Sequence, residues 1–277
     1  METNNKVLKT ISYILATIIS VIFLFPIYYT LINSIRGLNS LPAIFTPTAY
    51  EWVNFKLAIT LIPYGKYLLN SVIILAITVP LGLVVNVIYG YALAKLKARG
   101  QSVIFYAVLL TMMLPTFAIQ IPQYILFSKV GLTDTFLLWV FEAAAGNAGI
   151  IFLSRQYFYS MPRALMEAAY IDGCSPFSAF MKVLMPLAKP LCAIVIFQIF
   201  NFNWGDYMTP YMYLSRDKYP LVMSMFSPSE YVMPGTNTVL TPVVNAASLI
   251  FIIPVLILFF CCQKHLVEGA SASGIKG

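Results

Sequence analysis

Residues 167–186 read EAAYIDGCSPFSAFMKVLMP, a short charge-bearing stretch in a chain that is otherwise mostly apolar. The set Glu167, Ala168, Ala169, Asp172, Gly173 and Pro186 is not one that makes or breaks bonds. Alanines leave a smooth surface on which another protein can pack closely, and Glu167 and Asp172 offer charges to Arg or Lys side chains of a partner. A second group, Gln198, Asn201, Asn203, Trp204, Asp206 and Tyr207, lies in an apolar run, and Glu142 lies well inside another. Polar groups at membrane depth are costly, so they face a cavity or another helix. Amides and carboxylates beside an aromatic face can hold a hydroxyl-rich solute. The same Asn and Gln can instead bond between helices, and Trp204 and Tyr207 can belong to an interfacial aromatic belt. Glu142 at that depth needs a partner or a proton, and its roles range from proton coupling to a pore-lining hydrogen bond.

The elements that must position these groups follow from composition. The 277 residues are 60% hydrophobic and 10% charged, and the mean hydropathy is +0.83. A soluble domain carries about 25% charge, so the chain reads as an all-α integral membrane protein forming one domain over 1–277. The net charge of +7 does not indicate nucleic acid, because the basic residues are scattered between apolar runs. Cys174, Cys192, Cys261 and Cys262 have no ligand-like spacing with His265, the one histidine, so they read as small apolar side chains with no metal site. A membrane enzyme is disfavoured because no paired carboxylates or His cluster are evident, and no catalytic residue is assigned.

Crossing the hydrocarbon core takes about 20 apolar residues. Six stretches qualify, at 11–33, 68–93, 103–127, 136–154, 190–211 and 242–263. The first is too long for a signal-peptide core and reads as a retained span. Pro115 and Pro122 in the third and Pro254 in the sixth predict kinks. With both termini inside, the inner segments hold Lys6, Lys9, Lys95, Lys97, Arg99, Arg155, Arg163, Lys182, Lys189, Lys264 and Lys276. The outer segments hold Arg36, Lys56, Lys66, Lys129, Arg216 and Lys218, so eleven basic residues stand against six. The excess predicts both termini in the cytoplasm, and it places the loop 155–189 there too. Two Pro-punctuated outer segments, 34–66 and 212–240, suit ordered loops or short helices.

Within the inner loop, Pro162 suits a first helical turn, and Arg163 to Ile171 are mostly helix formers. Gly173 can stop that helix at a positive φ. Ser175-Pro176 reads as the N-cap and first turn of a second short helix carrying Phe177, Phe180, Met181 and Leu184. The chain supplies its own control, because Glu142-Ala143-Ala144 repeats the triplet inside a span with Ala148 where Gly would be needed.

The full spacing is Glu167-Ala168-Ala169, three residues, Gly173, nine residues, then Val183-Leu184-Met185-Pro186. It resembles the EAA signature of ABC importer permeases, with Val183 and Met185 where Ile and Leu are usual. Residues 67–95, 111–134, 204–214 (WGDYMTPYMYL) and the tail GASASGIKG from Gly269 also resemble segments of the carbohydrate importer permeases, in the same order. Most of the chain resembles the six-span partner subunit of the maltose-type family. The resemblance implies the type I importer permease fold and a machine of several parts: a second homologous permease, two ATPase subunits docked on the EAA loops, and an extracellular sugar-binding protein. It also implies that the C-terminal tail, Gly274 to Gly277, approaches the ATPases. No GxxxxGK[ST] motif is present, so ATP and Mg belong to the partner and no cofactor to this chain. The expected setting is a bacterial plasma membrane with lipid around the spans. A stand-alone proton-coupled secondary transporter is the alternative.

Overall fold

The computed structural model describes residues 2–96, 98–227, 230–232, 235 and 238–274. Among these, helix dominates, and the one extended pairing is an isolated antiparallel bridge between Val232 and Val239. In chain order the helices are α1 (Glu2–Ser34), α2 (Val53–Thr60), α3 (Tyr64–Lys95), α4 (Gln101–Met112), α5 (Thr116–Lys129), α6 (Leu137–Ala145), α7 (Ala148–Ser160) and α8 (Arg163–Ile171). Next, α9 (Pro176–Ala179) passes through a π-helical turn (Phe180–Leu184) into α10 (Met185–Leu187). The remainder are α11 (Lys189–Trp204), α12 (Met208–Tyr213), α13 (Val222–Phe226) and α14 (Thr241–Gly274). The two Pro-punctuated segments hold α2 and α13.

Four stretches are long and apolar enough to cross a membrane: Lys9–Ser34, Tyr64–Lys95, Leu137–Ser160 and Thr241–Leu266. Two bent pairs bring the number to six when each is taken as one span, α4 with α5 and the 176–187 stretch with α11. The third expected span is therefore not one kinked helix. It breaks at Met113–Pro115 and turns through 103°. Pro115 lacks the N–H needed to continue the ladder, and the residue before a proline is driven out of the α region. By contrast, Pro122 and Pro254 sit inside unbroken α5 and α14.

The fourth span, expected over 136–154, continues to Ser160 and is interrupted at Gly146-Asn147. Gly146 takes φ +78°, and the Asn147 side-chain oxygen accepts from the N–H groups of Gly149 and Ile150, restarting the helix as an N-cap. Lengthening this span moves the start of the inner loop from 155 to Met161. The fifth span is shorter than expected, because α11 ends at Trp204.

By its contacts the chain divides into two compact units, residues 1–65 with 224–253 and residues 66–223 with 254–277. In the first, Asn33 exchanges two hydrogen bonds with the Ala43 backbone (2.8 and 2.9 Å). Asn54 donates to the carbonyls of Ser34 and Arg36, pinning the turn after α1. In the second, α3 is the spine. Gly82, Asn86 and Gly90 recur every four residues and so share one face. At Gly90 an added Cβ would lie 2.3 Å from the Ser154 Cβ and 2.8 Å from the Arg155 nitrogen, so α7 packs directly on bare backbone. Around that contact Val87, Tyr91, Ile150, Phe158, Leu191 and Val195 form a buried core.

The segment Lys9–Ser34 buries nothing within the chain over its most apolar window, and α4 and α5 contain no buried residue. Their outward side chains, such as Ile104, Leu110, Phe117 and Ile121, form the surface that lipid or another apolar helix must cover.

Candidate functional site

The EAA segment folds as a helix, a tight turn and a second helix. Pro162 is in the cap position just before α8, with φ −55° and ψ 135°, rather than inside its first turn. At the other end Gly173 takes φ +78°. Its N–H donates to the Tyr170 carbonyl (3.0 Å), and the Cys174 N–H reaches back to the Ala169 carbonyl (2.9 Å). These two bonds are the Schellman pattern, which closes a helix when the residue after the cap adopts the left-handed conformation. The next helix starts immediately, with the Ser175 hydroxyl accepting from the Ser178 N–H (3.2 Å) and Pro176 in the first turn. It leads through α10, which carries exposed Pro186, to an 80° bend into α11.

One face of α8 packs inward and one outward. Met166 and Ala169 are buried in the same core as Phe180 and Leu184. Ala169 therefore does not contribute to an external surface, as the triplet alone suggested. Ala164, Glu167, Ala168 and Ile171, spaced three and four apart, form the outer face with Asp172, Gly173 and Phe177 beyond it. Ile171 is 86% exposed and Phe177 68%, so this face carries two apolar side chains beside its acidic ones.

This face is held in position from behind. The Tyr91 hydroxyl donates to the Pro176 carbonyl (3.0 Å), Lys95 Nζ to the Met161 carbonyl (2.8 Å), and the Tyr157 hydroxyl to the Leu187 carbonyl (3.0 Å). The ring of Tyr91 also packs against those of Phe158 and Phe180. These bonds and ring contacts tie the segment to α3 and α7.

The second feature is a cavity of about 450 Å³ between α3, α5, α6, α7 and α11. Three of the seven residues singled out for a solute path line it, Glu142, Asn203 and Asp206. The other four do not, and of these Tyr207 stacks on Tyr211 (5.5 Å between centroids). Trp204 is buried and stacks on Phe200 (5.6 Å between centroids), Asn201 donates to the Phe197 carbonyl of its own helix (2.8 Å), and Gln198 is half-buried elsewhere on α11. In their place the fold brings Asn86, Gln123 and Asn147 to the cavity wall.

Gln123 Nε2 lies 3.4 Å from Glu142 Oε1, so Glu142 is not the isolated carboxylate that the sequence suggested. Asn86 Oδ1 accepts the Asn147 N–H (2.8 Å) and so satisfies one of the backbone groups freed by the break in the fourth span. Irregular backbone at membrane depth is tolerated where it lines a cavity or is buried in protein, and this break does the first. Asn86 and Asn147 were legible as polar residues inside apolar spans, although nothing in their spacing tied them to Glu142.

Residues 79–270 match the family of binding-protein-dependent transport system inner membrane components. The chain belongs to that family. Relatives include the arabinooligosaccharides transport system permease protein AraQ of Halalkalibacterium halodurans, 31% identical over 94% of this chain and 93% of the relative. Another is the maltodextrin transport system permease protein MalD of Streptococcus pneumoniae, 26% identical over 100% of this chain and 99% of the relative. The fold matches that of a bacterial ABC transporter involved in the import of the acidic polysaccharide alginate. The TM-score is 0.80 at 22% identity, covering 95% of this chain and 98% of that one. The chain is thus a multi-pass permease subunit with the type I importer fold, and it works with other ABC components that include an ATPase and a substrate-binding protein. Family membership does not favour a stand-alone proton-coupled carrier.

Sequence reasoning missed two further constellations of the permease. At the end of α3 remote from the EAA segment, the Asp134 carboxylate accepts from the Ser215 N–H (2.9 Å), the Ser215 hydroxyl (2.7 Å) and Lys218 Nζ (3.1 Å). The Ser215 backbone and hydroxyl bonds, then Lys218, hold its carboxyl down at about 2. Asp217 beside it pairs with Lys66 (2.6 Å), and that hydrogen bond and charge lower its carboxyl too. At the near end, the Arg155 guanidinium sits 3.8 Å from the Phe105 ring centroid and donates to the Leu93 carbonyl (3.2 Å), joining α3, α4 and α7.

Proposed function

We propose that this permease is the six-span partner subunit of an ATP-driven importer of sugars or oligosaccharides. The observation that carries the reading is the outer face of α8, Ala164, Glu167, Ala168 and Ile171, with Gly173 closing the helix and three hydrogen bonds bracing it on the chain's own spans. Such a face receives an ATPase surface: small side chains permit close approach, Ile171 and Phe177 supply apolar contact, and Glu167 and Asp172 pair with basic groups. The sugar class is supported by relatives named for arabinooligosaccharide and maltodextrin transport, which match nearly the whole chain. A second, homologous permease completes the pore, two ATPases dock beneath, and an extracellular binding protein delivers the sugar. ATP and Mg belong to the ATPases, and this chain binds no cofactor. Both termini lie in the cytoplasm, in keeping with the distribution of basic residues. The tail contact at Gly274 to Gly277 falls largely outside the described residues.

In this cycle ATP closes the ATPase dimer and draws the two EAA helices together. The braced helices turn as bodies, the pore opens outward, and hydrolysis resets it. Such a two-state element is biased from a distance by a ligand that binds one state better. The test is ATPase activity of the full complex in lipid nanodiscs with sugar-loaded binding protein. Stimulation should be lost in Glu167→Arg while membrane insertion and subunit assembly persist. Undiminished stimulation in that variant would remove α8 as the coupling element.

A further inference from the structure

The cavity beside the broken fourth span has ionisable lining groups of one sign only. Glu142 and Asp206 line it, and no Lys, Arg or His does so among the described residues. Four basic side chains of this unit are used away from the cavity, where Lys95 and Arg155 bond backbone carbonyls and Lys66 and Lys218 pair with Asp217 and Asp134. The rest of the lining suits a glycosyl unit. The amides of Gln123 and Asn203 line it with one NH2 bond each already made, to Glu142 and to the Ile199 carbonyl, and Phe141 and Phe202 add apolar surface. The volume of about 450 Å³ lies in the range of small-molecule sites.

We propose that this cavity is a charge filter on the solute path, admitting neutral and aminated glycosyl units and turning away those that bear a carboxylate, sulfate or phosphate. The inference rests on the importer reading above and narrows its substrate class. A hydroxyl or ammonium group finds acceptors at Glu142 and Asp206. An anion held about 6 Å from either carboxylate in its ionised form is disfavoured about a hundredfold at an effective dielectric constant of about 20. Fold does not choose the sign, since this fold is shared with a transporter involved in importing an acidic polysaccharide. The lining side chains must choose it.

The filter can be read without knowing the sugar. In the assembled complex, Cys174, Cys192, Cys261 and Cys262 are replaced by Ala and a single reporter, Asn203→Cys, is introduced into the wall. Phe202→Cys serves as a second reporter in case the first disrupts assembly. The reporter is reacted with a cationic trimethylammonioethyl and an anionic sulfonatoethyl methanethiosulfonate. Each rate is divided by that of the same reagent with 2-mercaptoethanol. The cationic reagent is expected to be favoured at least tenfold, and the ratio should fall to near one in Glu142→Gln/Asp206→Asn. A ratio near one in the parent, a ratio unmoved by neutralisation, or no reaction with either reagent at both positions would overturn the proposal. The reaction needs neither ATP nor sugar, so it fails separately from the importer reading. Sugar-dependent ATPase activity with a ratio near one removes the filter alone. A high ratio in a complex that never responds to sugar removes the importer reading and leaves an anionic cavity of another use.

Discussion

The EAA segment and the polar cavity belong to the same unit and share α3 and α11 as walls, yet they are assembled in opposite ways. The segment is nearly all local: 27 consecutive residues from Met161 to Leu187 hold both helices, the Schellman turn and the N-cap that restarts the chain. The cavity takes residues from α3, α5, the α6–α7 break and the end of α11, with over a hundred residues between Thr78 and Asp206. The first is a rigid surface exposed to another protein. The second is a half-open space between apolar helices, with polar groups in its wall. Damage to the first should uncouple ATP use from transport, and damage to the second should alter what is transported.

The strongest way to break that division is Gly173→Pro. Proline cannot adopt φ +78° and removes the N–H that bonds the Tyr170 carbonyl, which together cost about 3 kcal/mol or more of local stability. Binding-protein-stimulated ATPase activity should vanish while the reagent selectivity of the cavity persists. Selectivity lost along with stimulation would show that the two regions are not separable.

Next is Gly90→Ala, which acts on the contact they share. Its new methyl would meet backbone atoms of α7 that cannot swing aside, so α3 and α7 must part at a cost of about 1–3 kcal/mol. A lower unfolding temperature in detergent is expected, with both coupling and selectivity impaired.

Asn86→Ala should fall more on the cavity. It leaves the Asn147 N–H at the helix break without its acceptor, worth about 1–3 kcal/mol. Solute-dependent activity should drop further than basal ATPase activity, and equal losses in both would argue that Asn86 merely holds the bundle together. Gly173→Ala sharpens the same contrast at smaller scale. No atom lies within 4 Å of the added Cβ, so only the left-handed backbone penalty of about 1–2 kcal/mol remains, and partial coupling should survive.

The smallest effect is expected at Asp134, outside both regions. Its carboxyl is held at about 2, below the ordinary value near 4, so its bonds stabilise the fold above about pH 4 and are lost as pH falls toward 2. Asp134→Asn should lower the unfolding temperature slightly at neutral pH, and the gap from the parent should narrow on acidification. Its side chain is 49% exposed, so a large shift would show that the Ser215 and Lys218 contacts matter more than their solvent setting allows.

Legibility followed the same division. The helix over 163–171, its stop at Gly173 and the cap at Ser175 were readable because propensity, capping and left-handed glycine are properties of neighbouring residues. That Ala169 turns inward while Ala168 stays out depends on which face meets the core, and three letters do not carry that. In the cavity Glu142, Asn203 and Asp206 were found through their cost at membrane depth, but Trp204 and Asn201 have the same cost and lie off the wall; Asn201 and Asn203 each bond a carbonyl of their own helix, so only their place around α11 separates them. Pro115 was legible as a disturbance, whereas the 103° turn it permits was not.

By itself the sequence determined the membrane class, the near-count of spans and the place of the coupling helices, because hydropathy and local backbone preference are summed along the chain. Tertiary structure alone decided that Asn86 clasps the broken fourth span, that Gln123 meets Glu142, and that two carboxylates line one cavity with no Lys, Arg or His among its described lining residues. Those relations join residues on different helices, and they exist only once packing brings α3, α5, α6, α7 and α11 around one space.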